Sequence, residues 1–358
     1  MIKFGLVGCG AIARRHADIL SSGEIPGASL GAVCDHDSAK ADAFAAKYNV
    51  PAFATLTDML AHPGLDAFTV LTPSGFHASN VEEIAATGLP IVVEKPMALR
   101  LSDADRMMTA CERSGSRLFV IKQNRFNRPV VALRRALEEG RFGKLVLGTV
   151  RVRWCRPQSY YDAAPWRGTW AEDGGVLSNQ ASHHLDLLEW MMGEVETVTA
   201  MSTRALARIE AEDTAVAVLR FRNGALGVVE ATTATRPKDL EGSLSILGER
   251  GSVEIGGFAA NELKTWRFAE PAAEDATVFE EWGTNPAHPF GYGHAAYYRH
   301  VVECLETSVA QLVDGAEGRK SLKLIVGIYE AIEQARHIGL DEAPTRCRLG
   351  EIREGARG

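Results

Sequence analysis

Lys3-Phe4-Gly5-Leu6-Val7-Gly8-Cys9-Gly10-Ala11-Ile12-Ala13 decides the fold. A short apolar run gives way to two closely spaced glycines and then to a helix-forming stretch, in the order strand, turn, helix. Gly8 permits the tight turn, Gly10 lets the backbone approach a pyrophosphate, and Ala13 is small enough for close packing of helix on strand. A pyrophosphate would rest on the backbone N–H groups that open the helix, those of Ala11 and Ile12. Asp35 ends the next apolar run, 22 residues past Ala13. A carboxylate there can accept hydrogen bonds from both ribose hydroxyls of NAD and would repel a 2′-phosphate; His36 follows it, not Arg, so NAD is expected over NADP. The competing reading is a turn that merely needs glycine and an Asp in solvent.

Working outward, strands are predicted at 3–7, 29–34, 67–71, 91–94 and 118–121, with helices at 11–20, 38–47, 56–61, 77–87 and 102–113. Short continuous strands alternating with helices specify a parallel, doubly wound Rossmann sheet. Ser102 with Asp105 reads as a capping box for the last of these helices. The pattern changes after Gln123-Asn124-Arg125-Phe126. A helix at 130–139 precedes longer strands at 145–155, 195–203, 214–221, 226–233, 243–247, 252–255 and 263–268. Asn223-Gly224 and Gly248-Glu249-Arg250-Gly251 favour hairpins between them. The expectation is an α/β chain with two domains. Residues 1–124 form the NAD-binding domain, and 125–358 an α+β domain with a large open, mostly antiparallel sheet, closed by a helix at 317–337 and a loose tail from 351.

Composition narrows the function. The chain has 358 residues, 46% hydrophobic and 24% charged, with a formal charge of −7. That balance argues against nucleic acid or an anionic membrane as partner and leaves room for a local basic pocket. Six cysteines include no C-x-x-C pair; reduced thiols, a cytoplasmic location and no metal are expected. No signal peptide and no membrane-length apolar run are read from the sequence.

Two stretches carry proton chemistry. Val92-Val93-Glu94-Lys95-Pro96 follows a strand of the first half. Asp173-Gly174-Gly175 precedes a helical pattern running to Met192, in which Asn179, His183, Asp186 and Trp190 fall on one stripe. That stripe holds no Lys or Arg, unlike an ordinary solvated face, and suits a cleft wall; the plain alternative is a surface helix. An imidazole takes a hydroxyl proton at neutral pH, an amide four residues away holds the hydroxyl, and the Lys95 ammonium stabilises alkoxide character. Arg156-Pro157-Gln158-Ser159-Tyr160-Tyr161 and Trp166-Arg167-Gly168-Thr169-Trp170 concentrate aromatics and arginines that can stack on a sugar or base and pair with carboxylate or phosphate; a hydrophobic cover for a sheet edge is the alternative. Gly291-Tyr292-Gly293-His294 with Tyr297-Tyr298 reads equally as a cleft wall or a helix start. Thr72-Pro73-Ser74-Gly75-Phe76-His77 is a turn before a helix, with or without a ligand.

On Gly8 to Ala13, Thr72-Pro73-Ser74 with His77, Glu94-Lys95-Pro96, and Gly174-Gly175 through Asn179, His183 and Asp186, the whole chain resembles the glucose–fructose oxidoreductase/inositol dehydrogenase/MocA family. The resemblance implies a Rossmann domain followed by an open-sheet domain, and homo-oligomers, dimers or tetramers, built across that sheet. It also implies that Thr72, Ser74, His77, Glu94 and Gln123 hold the nicotinamide half of the cofactor. Many members carry Asp where this chain has Asn179, which moves the base role to His183. Asn179-Gln180-Ala181-Ser182-His183, Glu212-Asp213-Thr214 and Pro237-Lys238-Asp239 look like the WlbA-type branch of UDP-N-acetyl-2-amino-2-deoxyglucuronate dehydrogenases. That branch implies oxidation of a UDP-sugar 3-hydroxyl, with 2-oxoglutarate as a possible reoxidant. Arg156, Tyr160, Tyr161, Trp166, Arg167 and Asp186 then become substrate candidates. A free sugar, an inositol or a glycoside stays open as substrate, and a non-catalytic sensor as a remoter reading.

Overall fold

The computed structural model describes residues 1–283, 293–307, 309–344 and 346–351. It divides into two units, Met1–Lys122 with His294–Lys320, and Gln123–Gly293 with Ser321–Gly358. Residues 294–320, assigned by sequence to the second domain, thus belong to the first unit.

The first unit is built on β1 (Ile2–Val7), β2 (Ala28–Cys34), β3 (Ala52–Phe53), β4 (Ala67–Val70), β5 (Ile91–Val93) and β6 (Leu118–Val120). These run parallel in the order β3-β2-β1-β4-β5-β6. Phe4–Val7 and Ala67–Val70 are wholly buried, as expected of parallel strands covered on both faces by helices. Those helices are α1 (Ala11–Ser21), α2 (Ser38–Tyr48), α3 (Leu56–Leu60), α4 (His77–Ala85) and α5 (Leu101–Ser114). The strand order reverses between β1 and β4, so the turns after these strands flank the crevice where such sheets bind ligands. The Ser102–Asp105 capping box is not formed. α5 begins one residue earlier, after Arg100, without a side-chain cap, and Asp105 instead accepts from Arg319 at 2.5 Å.

The second unit carries β7 (Leu145–Arg153), β8 (Val195–Thr203), β9 (Thr214–Phe221), β10 (Leu226–Thr232), β11 (Glu241–Gly248), β12 (Gly251–Gly256), β13 (Glu262–Phe268) and β14 (Ile338–Gly339). The order is β13-β12-β11-β7-β10-β9-β8-β14. Among the described residues of this sheet, only β7 and β10 pair in parallel. Both expected hairpins form, β9 to β10 and β11 to β12. Along β9, Ala215, Ala217, Leu219 and Phe221 point inward while Val216, Val218 and Arg220 point out, the two-residue period of a half-covered sheet. Helices α6 (Arg128–Glu138), α7 (Gln158–Asp162) and α8 (Ser182–Met192) belong to this unit. α8 packs on the inner face, with Leu188 and Met192 over Gly148 of β7. The outer face leaves Met201, Val216, Val218 and Leu226 exposed, Met201 at 74% and Val218 at 57%. Among the described residues no helix is long and apolar enough to cross a membrane.

Candidate functional site

The turn after β1 fits a dinucleotide. Gly8 has φ +101°, and a Cβ there would lie 2.9 Å from the Leu71 carbonyl carbon, so only glycine suits. Gly10 begins α1, and a Cβ on it would meet nothing within 4 Å. Open space at the start of a helix, next to the N–H groups of Ala11 and Ile12, is the setting for an anion. Asp35 reaches back to this turn: Oδ2 accepts from Cys9 N at 2.7 Å and Oδ1 from Asp37 N at 2.9 Å. Each carboxylate oxygen has a second lone pair, so a ribose can still be held. Burial, with the neighbouring Asp35 charge, pushes the Cys9 thiol up to about 12, so it stays protonated.

Next come the turns after β4 and β5. Ser74 lies in a single 3₁₀ turn, Ser74–Phe76, leading into α4. Thr72 Oγ1 donates to Asn80 Oδ1 at 2.9 Å. The buried His77 ring spans both turns, with Nε2 2.9 Å from the Thr72 carbonyl and Nδ1 2.9 Å from that of Pro96. Burial lowers its pKa despite those carbonyls. His77 therefore fixes the backbone that carries Thr72 and Lys95. Glu94 accepts from Lys95 N at 2.8 Å and lies 3.1 Å from His16 Nε2. His16 Nδ1 contacts Tyr298 Oη at 2.8 Å, which contacts Thr69 Oγ1 at 3.1 Å. Burial opposes charge on Glu94, but the His16 hydrogen bond and the charges of His16 and Lys95 outweigh it and hold the carboxyl at about 2. His294 lies edge-on to His16, and ligand-type atoms of His16, Glu94 and His294 fall within 4.8 Å of one another. His294, Tyr297 and Tyr298 are buried on the helix Gly293–Glu306; Gly291 and Tyr292 lie outside the described residues.

His183 belongs to the second unit, near the start of α8, and is 8% exposed. Its Nε2 lies 2.9 Å from Gln123 Nε2. An amide nitrogen donates, so the ring accepts at Nε2 and carries its proton on Nδ1. Gln123, read as a cofactor residue, is thus placed on the imidazole. Arg125 and Asp186 form a buried fork, 2.9 and 2.8 Å, with the guanidinium 4.7 Å from the Trp190 ring.

Asn179 does not share a helix with His183. It sits in the turn before α8 and donates to Asp173 Oδ1 at 2.5 Å. Asp173 Oδ2 accepts from Gly168 N at 2.7 Å. The plain alternative, a surface helix, does not hold, because both stripes of α8 are buried from Ser182 to Leu188.

Arg156 pairs with Asp239 at 3.0 Å and stacks on Trp154 and Tyr160. Arg167 lies 4.0 Å from the Tyr160 ring and 4.7 Å from that of Trp166. Tyr161 is buried, its hydroxyl 2.8 Å from Thr233 Oγ1. A cleft of about 680 Å³ is lined by Gln158, Tyr161, Arg167, Arg204, Arg208 and Glu210 among others. Sequence reasoning gave no role to His16, Arg125, Arg204 or Arg208, and Asp173 and Glu212 entered it only as parts of motifs. His16 left a signal of its own, falling on the buried stripe of α1 with Ala13, Ala17 and Leu20.

Residues 2–122 match the family model of oxidoreductases with an NAD-binding Rossmann fold, and 130–254 that of the GFO/IDH/MocA C-terminal domain. The chain is 43% identical to the WlbA dehydrogenase of Bordetella pertussis, solved with NADH and UDP-GlcNAcA. The likeness covers 95% of this chain and 98% of that one, with a TM-score of 0.89. For the WlbA dehydrogenase of Chromobacterium violaceum, solved with the same two ligands, identity is 42%, coverage 94% and 95%, and TM-score 0.88. D-apiose dehydrogenase of Rhizobium rhizogenes is 26% identical over 95% of this chain and 97% of its own length.

Proposed function

Since this chain belongs to the GFO/IDH/MocA family of NAD-dependent sugar dehydrogenases, we propose that it oxidises the 3-hydroxyl of a UDP-linked N-acetylhexosaminuronic acid. The observation that carries the reading is the Gln123–His183 contact, which selects the ring tautomer with a basic Nε2. When NAD is bound, it supplies the acceptor for the hydride leaving C3. His183 Nε2 takes the hydroxyl proton once the hydroxyl replaces the Gln123 amide at that lone pair. Lys95 contributes an ammonium that stabilises the developing alkoxide, and Asn179, fixed by Asp173, orients the hydroxyl. The product is a 3-keto sugar. Asp35 holds the ribose, and Gly8, Gly10, Ala11 and Ile12 receive the pyrophosphate. Thr72, Ser74, His77 and Glu94 shape the nicotinamide end. Asp186 acts through Arg125, and Arg156, Tyr160, Tyr161, Trp166 and Arg167 face the substrate.

Reoxidation by 2-oxoglutarate, a cytoplasmic location and a homo-oligomer complete the reading. Free thiols support a reducing compartment. Met201, Val216, Val218 and Leu226 support self-association, because monomers rarely expose contiguous apolar sheet faces.

The test is a panel of UDP-sugars, read by NADH absorbance. UDP-GlcNAcA should be oxidised, and His183→Ala should bind NADH normally while losing turnover by roughly 10²- to 10⁴-fold. Full turnover by that variant would remove His183 from the chemistry. The D-apiose dehydrogenase relative favours a second reading, a free sugar; turnover of D-apiose with none of UDP-GlcNAcA would select it.

A further inference from the structure

The cleft of the second unit carries more positive than negative charge. Its lining includes Arg167, Arg204 and Arg208, with Asp162 and Glu210 as the carboxylates. Among the described residues none of these three guanidinium groups is in an ion pair, whereas Arg151, Arg153 and Arg156 of the same unit all are. Both carboxylates are already engaged: Asp162 Oδ1 accepts from Gln158 Nε2 at 2.8 Å, and Glu210 Oε2 accepts from Trp170 N at 3.0 Å.

The arginines stand on braced backbone. Asp213 accepts from the N–H groups of Ala205, Leu206 and Ala207, each at 2.7 Å, which fixes the loop between Arg204 and Arg208. Gln158 grips Arg208 from both sides, its Oε1 accepting from the backbone N and its Nε2 donating to the carbonyl. The Gly168 carbonyl accepts from both Glu210 N and Ala211 N, joining the two arginine-bearing loops. Arg167 lies against the Tyr160 and Trp166 rings. Arginines carried on a braced loop at the wall of a roomy cleft are suited to an anion with several acceptor oxygens. At about 680 Å³ the open cleft has room for a drug-sized ligand. Asp173 accepts from Gly168 N and from Asn179, so the cleft wall and the segment leading to His183 share one carboxylate.

We propose that this cleft is the diphosphate subsite of the nucleotide-linked substrate, with Arg167, Arg204 and Arg208 as its ligands. The inference rests on the nucleotide-sugar reading and adds the group on the substrate that these arginines recognise. Arg204 and Arg208, neither of which the sequence singled out, set preference for a nucleoside-diphosphate sugar over a free sugar.

The experiment measures UDP binding to the full-length protein by tryptophan fluorescence, its competition with UDP-GlcNAcA, and KM for UDP-GlcNAcA. The variants are Arg204→Glu and Arg208→Glu, on an exposed loop, with Arg267→Glu on β13 as a charge-reversal control. NADH affinity and near-UV circular dichroism report that each variant is folded. Each lost charge-assisted contact is worth roughly a factor of 10 to 100. The subsite is supported if UDP competes with the sugar nucleotide and both reversals weaken UDP binding and raise KM at least 10-fold, while the control changes neither. It is overturned, with the proposed reaction intact, if wild type oxidises UDP-GlcNAcA and both reversals stay within about twofold of it. UDP binding without competition also overturns it. If wild type neither oxidises UDP-GlcNAcA nor binds UDP, subsite and reaction both fall. UDP binding that the reversals abolish, without turnover of UDP-GlcNAcA, keeps the subsite and rejects that sugar.

Discussion

Glu212→Gln should make the protein more stable at alkaline pH and leave it nearly unchanged in mild acid. Glu212 is buried, its Oε1 accepting from Leu177 N at 3.0 Å and from Tyr329 Oη at 2.9 Å. A Cβ on Gly175 would lie 2.3 Å from Oε2, so backbone presses against the second oxygen. Burial pushes the carboxyl from its ordinary 4.5 up to about 7. Below pH 4.5 the folded and unfolded chains both hold this proton, and it adds no pH dependence. From there to about pH 7 the folded chain keeps the proton and the unfolded chain releases it, so stability falls as pH rises. Above about 7 the loss is complete, on the order of 3 kcal/mol for a rise of this size. Glutamine retains the Oε1 acceptor and carries no charge. The variant should therefore match wild type within about 1 kcal/mol near pH 5 and exceed it by up to about 3 kcal/mol near pH 8. Urea unfolding at both pH values measures this, and the difference between the two proteins cancels every other titrating group. Trp170, edge-on to Tyr329, is a reporter close to the change. A difference that does not vary with pH, or a glutamine variant weaker at pH 8, would refute the reasoning.

Asp35→Ser should narrow the preference for NAD over NADP by about 10-fold or more, since it removes the charge that repels a 2′-phosphate; fluorescence titration with both reduced cofactors reads the ratio, and an unchanged ratio removes Asp35 from ribose recognition. Arg125→Met should destabilise the second unit by about 3–5 kcal/mol, because Asp186 would stay buried without its partner. Arg125→Met with Asp186→Leu should recover most of that loss, and hydrogen exchange along α8 distinguishes the two; equal protection in single and double variants would contradict it.

The turn after β1 was legible because its signals are local. Gly8, Gly10 and Asp35 mark a tight turn, a helix start and a strand end, all within one strand–helix–strand unit. The long strands were equally plain, and β8 and β9 lie at their predicted bounds, since alternation persists wherever one sheet face is covered. β3 and β14, two residues each, are too short to show any period. The stretch before His183 misled for a physical reason. Helical spacing continues back to Leu177, yet Asp173 captures the Asn179 amide, Glu212 and Tyr329 take the backbone of Leu177 and Gly175, and the chain turns before α8 can begin. None of these partners is visible to a periodicity argument. Arg125 with Asp186, 61 residues apart, and His16 with Glu94, 78 apart, are invisible for the same reason.

One carboxylate has a consequence for anyone redesigning this enzyme. Asp173 holds Gly168 with one oxygen and Asn179 with the other. Grafting a relative's specificity loop onto this chain would tug on the neighbourhood of His183 whatever the new loop recognised. Residues 167–183 should be exchanged as a single cassette, and selectivity and turnover should drift together in any library that varies only part of it.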